Sequence, residues 1–162
     1  MMIFIPGPYY IIDFDEKTLI GLPLKNIIGV YPLGEITPFP NPTKNLVGMG
    51  NLEGRIVPIQ DSISLFDYKM DEDEGSYIIL ISTYLGEFGF IVPRHFNVIG
   101  ISKEQIENAK KNYDEKNYKN LLIIKTEKKD LIMMDIDIPY EFGEIEDQLL
   151  QLFTQKALEI NS

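Results

Sequence analysis

The chain contains no cysteine, and it has a single histidine and two arginines among its 162 residues. Without cysteine, the sequence excludes disulfide bonds, thiolate nucleophiles and zinc sites built on sulfur ligands. The single histidine, His95, excludes a multi-histidine metal site within one chain. Because no serine has the sequence context of an activated nucleophile, we interpret His95 as a residue without catalytic chemistry. With only Arg55 and Arg94 present, few positions can bind an oxyanion through a guanidinium group.

The charge balance is acidic, since 15 Lys and Arg face 25 Asp and Glu and the net charge is −10. Such a chain lacks the cations that neutralise a phosphate backbone, so nucleic acid is excluded as a general partner. The apolar N-terminal segment has no basic start and is interrupted by Pro6 and Pro8. No later apolar run approaches the roughly 20 residues of a membrane-spanning helix. We therefore predict a cytoplasmic protein with no direct membrane insertion.

Three local patterns suggest ligand-binding motifs and fail on their spacing. The acidic run at 71–75 places its glycine and its last oxygen donor at the wrong positions for a calcium-binding EF-hand loop. The glycines of 48–54 lead into a predicted strand, so no helix N-terminus faces a phosphate group. The carboxylates near the C-terminus have no spacing that fixes an acid–base pair. We predict no cofactor, no metal ion and no enzymatic activity.

Alanine occurs at only two positions, which favours strands over helices in a chain rich in isoleucine. The proline-rich segment 32–43 cannot lie in the centre of a sheet, and it is expected as an irregular crossing segment or an edge. The predicted strands are 9–14, 18–22, 26–31, 46–50, 55–60, 77–85, 88–93, 96–101, 121–125 and 131–136.

Local sequence signals also predict two turns within this series of strands. Residues 51–54 (NLEG) have the chemistry of a tight turn, because Asn bonds to its own backbone and Gly adopts a positive φ on exit. Residues 86–87 are predicted to form the turn of the central hairpin, and the strand at 96–101 is expected to close that group.

Two helical segments complete the prediction. Ser102 and Gln105 have the spacing of a capping box, and the polar segment that follows, to about Tyr118, is predicted to form a short helix or a helical turn. Residues 141–159 carry apolar side chains near a 3.6-residue period and are predicted to form an amphipathic helix. Its apolar face is expected to dock on the barrel wall, and a partner surface is the alternative. Many short strands with one terminal helix predict an antiparallel barrel or sandwich.

The segment around the first turn resembles the signature of CheW-like domains. In that family a Pro-Asn segment precedes the stretch G-x-x-N-L-R-G-x-I-V-P-V-x-D. Here PFPNP at 38–42 precedes GMGNLEGRIVPIQD at 48–61. The flanking strands follow the family's order, and they read YYIIDF, TLIGLPLKNIIGVY, YIILI, GEFGFIV, FNVIGISKEQIE and KKDLIMMDIDIPYEF. The resemblance extends from about residue 9 to the end of the chain.

The resemblance implies a mainly β fold in which residues 1–162 form a single domain of two packed five-stranded β-barrels. A short helical turn and a C-terminal amphipathic helix complete it. The implied function is a non-enzymatic adaptor in bacterial chemotaxis. The implied partners are the regulatory domain of the histidine kinase CheA and the cytoplasmic tip of a methyl-accepting chemoreceptor. The alternative is a divergent CheW-like scaffold that serves another signalling or motility complex.

The resemblance also implies residues that bind partners. Apolar residues of the third strand fall near the family's receptor-binding groove, and the turn at 51–54 falls on the segment that couples receptor and kinase. The central hairpin corresponds to a region that contacts the kinase. Burial in the core is the alternative for each apolar residue. The implied set is Ile27, Val30, Gly48, Asn51, Leu52, Glu53, Gly54, Arg55, Ile79, Ile81 and Phe90.

Three positions depart from the family pattern. Glu53 stands where the family has arginine, which reverses the charge of the turn. The residues after Asp61 are Ser62 and Ile63, so a second arginine is missing, and Pro93 replaces an acidic residue. Because charge at the rim of an interface governs partner choice, we hypothesise that the scaffold is retained while its partners have changed.

Overall fold

The computed structural model describes residues 4–13, 17–43, 46–60, 76–93, 96–113, 118–141 and 143–160. The strands are β1 (Gly7–Asp13), β2 (Thr18–Pro23), β3 (Ile27–Pro32), β4 (Ile36–Thr43), β5 (Leu46–Leu52), β6 (Arg55–Gln60), β7 (Ser76–Thr83), β8 (Gly86–Pro93), β9 (Phe96–Ile101), β10 (Leu121–Lys125) and β11 (Asp130–Met134). The helices are a 3-10 turn (Leu24–Asn26), α1 (Lys103–Lys110) and α2 (Glu144–Ile160).

The strands form two sheets that divide the chain into its middle and its two ends. The first sheet has the order β10-β11-β2-β1-β9, and the second has the order β3-β7-β8-β6-β5-β4. Two neighbouring pairs run parallel, β11 with β2 and β6 with β8. Because β1 and β2 pair with strands that lie far along the chain, the first sheet joins the beginning of the chain to its end.

The predicted fold class is confirmed in its coarse form and corrected in its detail. The mainly β character, the two sheets and the two α-helices are as expected. The second sheet has six strands instead of five, because the proline-rich segment forms β4 at its edge. An edge strand tolerates proline, since only one of its sides pairs with a neighbouring strand. Closure into barrels is not confirmed, since the order of the described strands in each sheet ends at two edge strands.

The predicted turn at 51–54 is confirmed, and its geometry follows from its residues. The backbone N–H of Gly54 donates a hydrogen bond of 2.8 Å to Asn51 Oδ1. Glu53 and Gly54 both have positive φ, at 52° and 91°. Positive φ at two consecutive loop positions is what a two-residue type I′ hairpin requires, and its twist matches that of the flanking strands. The turn therefore joins β5 to β6 without splaying them.

The predicted turn at 86–87 is wrong by two residues. The chain turns at Tyr84 and Leu85, and Gly86 already begins β8. Thr83 explains the difference, because its Oγ1 donates to the Gly86 carbonyl oxygen at 2.8 Å and accepts from Leu85 N–H at 3.1 Å. The threonine hydroxyl thus forms hydrogen bonds with two backbone groups of the turn.

Of three further expectations about the second half of the chain, one is confirmed and two are corrected. Strand β9 pairs with β1 in the first sheet and does not join the central hairpin. The capping box is confirmed, since Gln105 N–H donates to Ser102 Oγ and Ser102 N–H donates to Gln105 Oε1. Helix α1 ends at Lys110, earlier than the predicted Tyr118.

The main core lies between the two sheets and helix α2. Ile59, Ile79 and Ile81 of the second sheet are fully buried there. On α2 the predicted apolar face packs into the same core, through Ile145, Leu149 and Leu152. The face of α2 thus docks on the sheets, as the first alternative predicted. A smaller cluster packs the other side of the first sheet against α1.

Candidate functional site

Two hairpin turns lie side by side at one end of the second sheet. Strands β6 and β8 pair in parallel with Ile59 opposite Gly89, and this register places the β5–β6 turn next to the β7–β8 turn. A salt bridge joins them, with 3.2 Å between Arg55 Nη1 and Glu87 Oε1. We call this region the tip surface; its residues are Asn51, Glu53, Gly54, Arg55, Ile56, Tyr84, Leu85 and Glu87.

The tip surface exposes apolar side chains within a charged rim. Ile56 is 69% exposed, Tyr84 is 53% exposed and Leu85 is 40% exposed. Glu53, Arg55 and Glu87 are charged and exposed around them. Exposed apolar residues with a polar rim are typical of surfaces that bind other proteins.

Buried neighbours hold the tip surface in place. Leu52, which directly precedes the turn, is 5% exposed and belongs to the main core. Tyr84 is fixed through its backbone, because its N–H donates to the Ile136 carbonyl oxygen at 2.7 Å. Its ring also lies 6.1 Å from the ring of Tyr140, measured between centroids. The turns are thus anchored to the core and to the segment that precedes α2.

The edge strand β3 presents a second apolar surface. Its residues alternate between partly buried and exposed, so Ile28, Val30 and Pro32 face solvent. Ile28 is 40% exposed and Val30 is 38% exposed. Ile27 points the other way and packs against the main core. Of the two β3 residues implied by the resemblance, the structure therefore exposes Val30 and packs Ile27 against the core.

Several residues of the implied binding set lie in the core. Ile79 and Ile81 have no exposed surface, and Phe90 is partly buried against the same cluster. Gly48 is buried on β5, and a Cβ atom there would lie 2.2 Å from the Thr37 carbonyl oxygen. The apolar residues Ile79, Ile81 and Phe90 thus pack in the core, which is the alternative given for them above.

On the tip surface and the exposed side of β3, the sequence reasoning missed four exposed apolar residues, which are Ile28, Ile56, Tyr84 and Leu85. The predicted turn at 86–87 places Tyr84 and Leu85 in a strand instead of at the turn. Ile56 lies inside the family signature, where strand alternation alone does not show which of the two faces of β6 is exposed at its first residues. Only for Ile28 did the sequence carry a signal of exposure, because adjacent strand residues point to opposite faces and Ile27 and Ile28 therefore cannot both face the core side of β3.

Some sequence features lie outside the described residues. These are His95, the acidic run at 71–75 and the segment 61–63 with its missing arginine. In the ranges that the structure does describe, no group of three His, Cys, Asp or Glu residues has the geometry of a metal site. Among the helices of those ranges, none has the length and apolar character to cross a membrane.

Comparison with known proteins gives one consistent result. The family model of the CheW-like domain matches residues 10–137. The chain is 30% identical over 125 residues to the chemotaxis protein CheW of Thermotoga maritima, with 77% of this chain and 82% of the relative covered. The crystal structure of the scaffolding protein TtCheW from Thermoanaerobacter tengcongensis superposes with a TM-score of 0.65 at 25% identity. That match covers 85% of this chain and 89% of the other.

Proposed function

The chain belongs to the CheW-like domain family and acts as a non-enzymatic chemotaxis adaptor, and we propose that it links the regulatory domain of CheA to the cytoplasmic tips of chemoreceptors. An adaptor of this kind requires a rigid scaffold with exposed apolar surfaces for two partners. We further propose that it works in the cytoplasm.

The observation that carries the proposal is the tip surface. It combines the family's coupling turn with the turn of the central hairpin, and the Arg55–Glu87 salt bridge connects the two. We assign the CheA regulatory domain to the tip surface and the receptor tip to the exposed side of β3, around Ile28 and Val30. Two separate apolar surfaces allow both partners to bind at once.

Replacing Ile56 with threonine is expected to weaken binding to the CheA regulatory domain by about 5- to 20-fold. Ile56 is the most exposed large apolar side chain of the tip surface, so a partner that covers it gains from its burial. Threonine keeps the β-branched shape and the strand preference of isoleucine, and it removes apolar area. Isothermal titration calorimetry of the full chain against the CheA domain measures the change.

Val98→Thr is the matched control, because Val98 is a β-branched residue that is 50% exposed on β9 of the other sheet. The control is expected to bind as the parent chain does. If Ile56→Thr and Val98→Thr have the same effect on affinity, the CheA domain does not bind the tip surface.

Replacing Glu53 with arginine is expected to change the affinity for partners of CheW-like proteins by about tenfold or more. The change restores the charge that the family has at this turn, and a reversed charge at a rim acts mainly on association rate and specificity. Surface plasmon resonance with a CheA regulatory domain and with a receptor tip gives both rates at two salt concentrations.

Glu53→Gln separates charge reversal from charge loss, because it keeps the size of the side chain. We expect its association rate to lie between those of the parent chain and of Glu53→Arg. Unchanged affinities of Glu53→Arg for both partners would remove the idea that Glu53 alters partner choice. Binding of neither partner by the parent chain would favour the alternative, a CheW-like scaffold of another signalling or motility complex.

A further inference from the structure

A small cavity opens where the N-terminal segment crosses the 3-10 turn, on the first sheet's side of the molecule. Its volume is about 150 Å³. Its apolar walls are Phe4, Ile5, Pro6, Pro8, Pro23 and Leu24. Tyr9 also lines it, and its hydroxyl donates to the Ile5 carbonyl oxygen at 2.8 Å, which holds the N-terminal segment in place. The charged groups in its lining are Lys25, Asp135 and Asp137.

The two carboxylates of this cavity are in different electrostatic situations. Asp137 is neutralised, because Lys25 Nζ lies 3.4 Å from its Oδ2 and Asn26 Nδ2 donates to its Oδ1 at 3.0 Å. Asp135 is only 7% exposed, and its Oδ1 accepts from the backbone N–H groups of Asp137 and Ile138. Within the part of the chain that the structure describes, its Oδ2 has no donor and the side chain has no ion pair.

Two backbone N–H groups compensate part of the negative charge of Asp135, and none of the ion pairs of the described residues includes it. The pKa of the Tyr9 hydroxyl is raised mainly by burial; the hydrogen bond to the Ile5 carbonyl oxygen lowers this pKa, and the negative charge of Asp135 has a smaller raising effect. With Lys25 occupied by Asp137, the lining carries an excess of one negative charge. The cavity is therefore complementary to a single cation.

The size and the walls of the cavity select among cations. A volume of about 150 Å³ is smaller than the roughly 300–1,000 Å³ of pockets that enclose metabolites or drug-sized ligands, and it suits one side chain. Phenyl, phenol and proline rings form much of the wall. A planar, weakly hydrated guanidinium group contacts such rings at a lower desolvation cost than an ammonium group does.

We propose that this cavity binds one arginine side chain of a partner protein, with its guanidinium group on Asp135 Oδ2. The cavity lies next to the tip surface, because Ile136, which stands between Asp135 and Asp137, accepts the hydrogen bond of Tyr84 N–H. The inference does not depend on which partner binds the tip surface. The arginine acts as an anchor that fixes the orientation of a partner whose main contacts lie elsewhere.

The test is an NMR titration of the full ¹⁵N-labelled chain with N-acetyl-L-arginine amide, which presents the side chain as a polypeptide does. We expect saturable shifts of the Ile5, Gly7 and Tyr9 amides, with a dissociation constant on the order of millimolar. N-acetyl-L-citrulline amide has nearly the same shape without the charge, and it is expected to give no saturable shifts. Equal shifts with both compounds would overturn the proposal.

Two variants test the role of the charges. Asp135→Asn keeps an oxygen that can accept from Asp137 and Ile138 N–H, and it is expected to weaken binding of the arginine amide by at least about fivefold. Lys25→Gln removes a competing cation and is expected to tighten binding by about two- to fivefold. Lys25→Gln keeps the test valid if Asp135→Asn does not fold.

Glu127→Gln is the matched control, because Glu127 is exposed at the opposite end of the β10–β11 hairpin from Asp135. It is expected to leave binding unchanged. An Asp135→Asn chain that folds and binds the amide as the parent does would exclude Asp135 as the anchor. Tighter binding of free L-arginine than of its capped amide would indicate a site for a metabolite and would also overturn the proposal.

Discussion

Replacing Gly48 with alanine is expected to lower the free energy of unfolding by about 2–3 kcal/mol, or the melting temperature by about 5–10 °C. A Cβ atom at Gly48 would lie 2.2 Å from the Thr37 carbonyl oxygen and 2.8 Å from the Thr37 carbonyl carbon. Both atoms belong to the backbone of β4, so no side-chain rotation relieves the contact. Strand β4 must move away from β5, where Pro38 pairs with Gly48. Urea unfolding followed by circular dichroism measures the loss.

Gly100→Ala is the matched control, since it makes the same chemical change on the exposed edge strand β9. A Cβ atom at Gly100 would have no atom within 4 Å. This variant is expected to be as stable as the parent, or more stable by a few tenths of a kcal/mol, because alanine restricts the unfolded chain. Equal losses from both substitutions would show that the close approach of β4 does not determine the effect.

The Gly48 prediction assigns a physical role to part of the family signature. The resemblance implies that Gly48 belongs to a segment that couples receptor and kinase, and the structure gives it a buried position where β4 and β5 approach each other. If the tip surface binds the CheA domain as proposed, Gly48 acts on binding indirectly, through the position of the β5–β6 hairpin. We expect Gly48→Ala to reduce binding and stability together, whereas Ile56→Thr reduces binding alone.

Local chemistry explains which parts of the fold could be predicted. The β5–β6 turn was predictable because Asn51 and Gly54 act within four residues, and the α1 capping box because Ser102 and Gln105 do. The membership of β9 was not, because its pairing with β1 joins residues about ninety positions apart and neither strand has a sequence signal for the other. A two-residue alternation of apolar and polar residues identifies a strand, but it does not show which other strand it pairs with.

The candidate site was predictable in its turn and not in its apolar residues. Side-chain alternation gives two faces for β7, and both are buried, so Ile79 in the core cannot be distinguished from a surface residue by pattern. Ile56 is exposed because the first residues of β6 form the end of the sheet, which depends on the register with β8. Exposure of this kind follows from tertiary structure.

Helix α2 contains a further feature that its apolar pattern does not predict. Gln148 lies on the buried face between Ile145 and Leu149, and it is 6% exposed. Its side chain pairs with Asn120, because Gln148 Nε2 donates to Asn120 Oδ1 at 3.0 Å and Asn120 N–H donates to Gln148 Oε1 at 3.1 Å. Asn120 Nδ2 also donates to the Asp135 carbonyl oxygen at 2.9 Å. The buried Asn120 side chain thus joins α2 to the open end of the β10–β11 hairpin, opposite its turn.

Replacing Asn120 with alanine is therefore expected to lower the free energy of unfolding by about 2–4 kcal/mol. Asn120 has no exposed surface, so its loss leaves the Gln148 amide and the Asp135 carbonyl oxygen buried without this partner. Urea unfolding measures the change, and an unchanged m-value would show that the native state remains compact. The exposed Asn108 of α1 provides the control, and Asn108→Ala is expected to be neutral or slightly stabilising.

A double-mutant cycle with Gln148→Leu tests whether the two amides act as a pair. Asn120→Ala leaves Gln148 Nε2 without its acceptor, and Gln148→Leu leaves Asn120 Oδ1 and the backbone N–H of Asn120 without Gln148. The double change removes both side-chain amides and fills part of the space with an apolar side chain, so that within this pair only the backbone N–H of residue 120 has lost its partner. We therefore expect the double variant to be more stable than the sum of the single losses predicts, by about 1 kcal/mol or more. Additive losses would mean that α2 is held by Ile145, Leu149 and Leu152 alone, and that the buried amides contribute independently of one another.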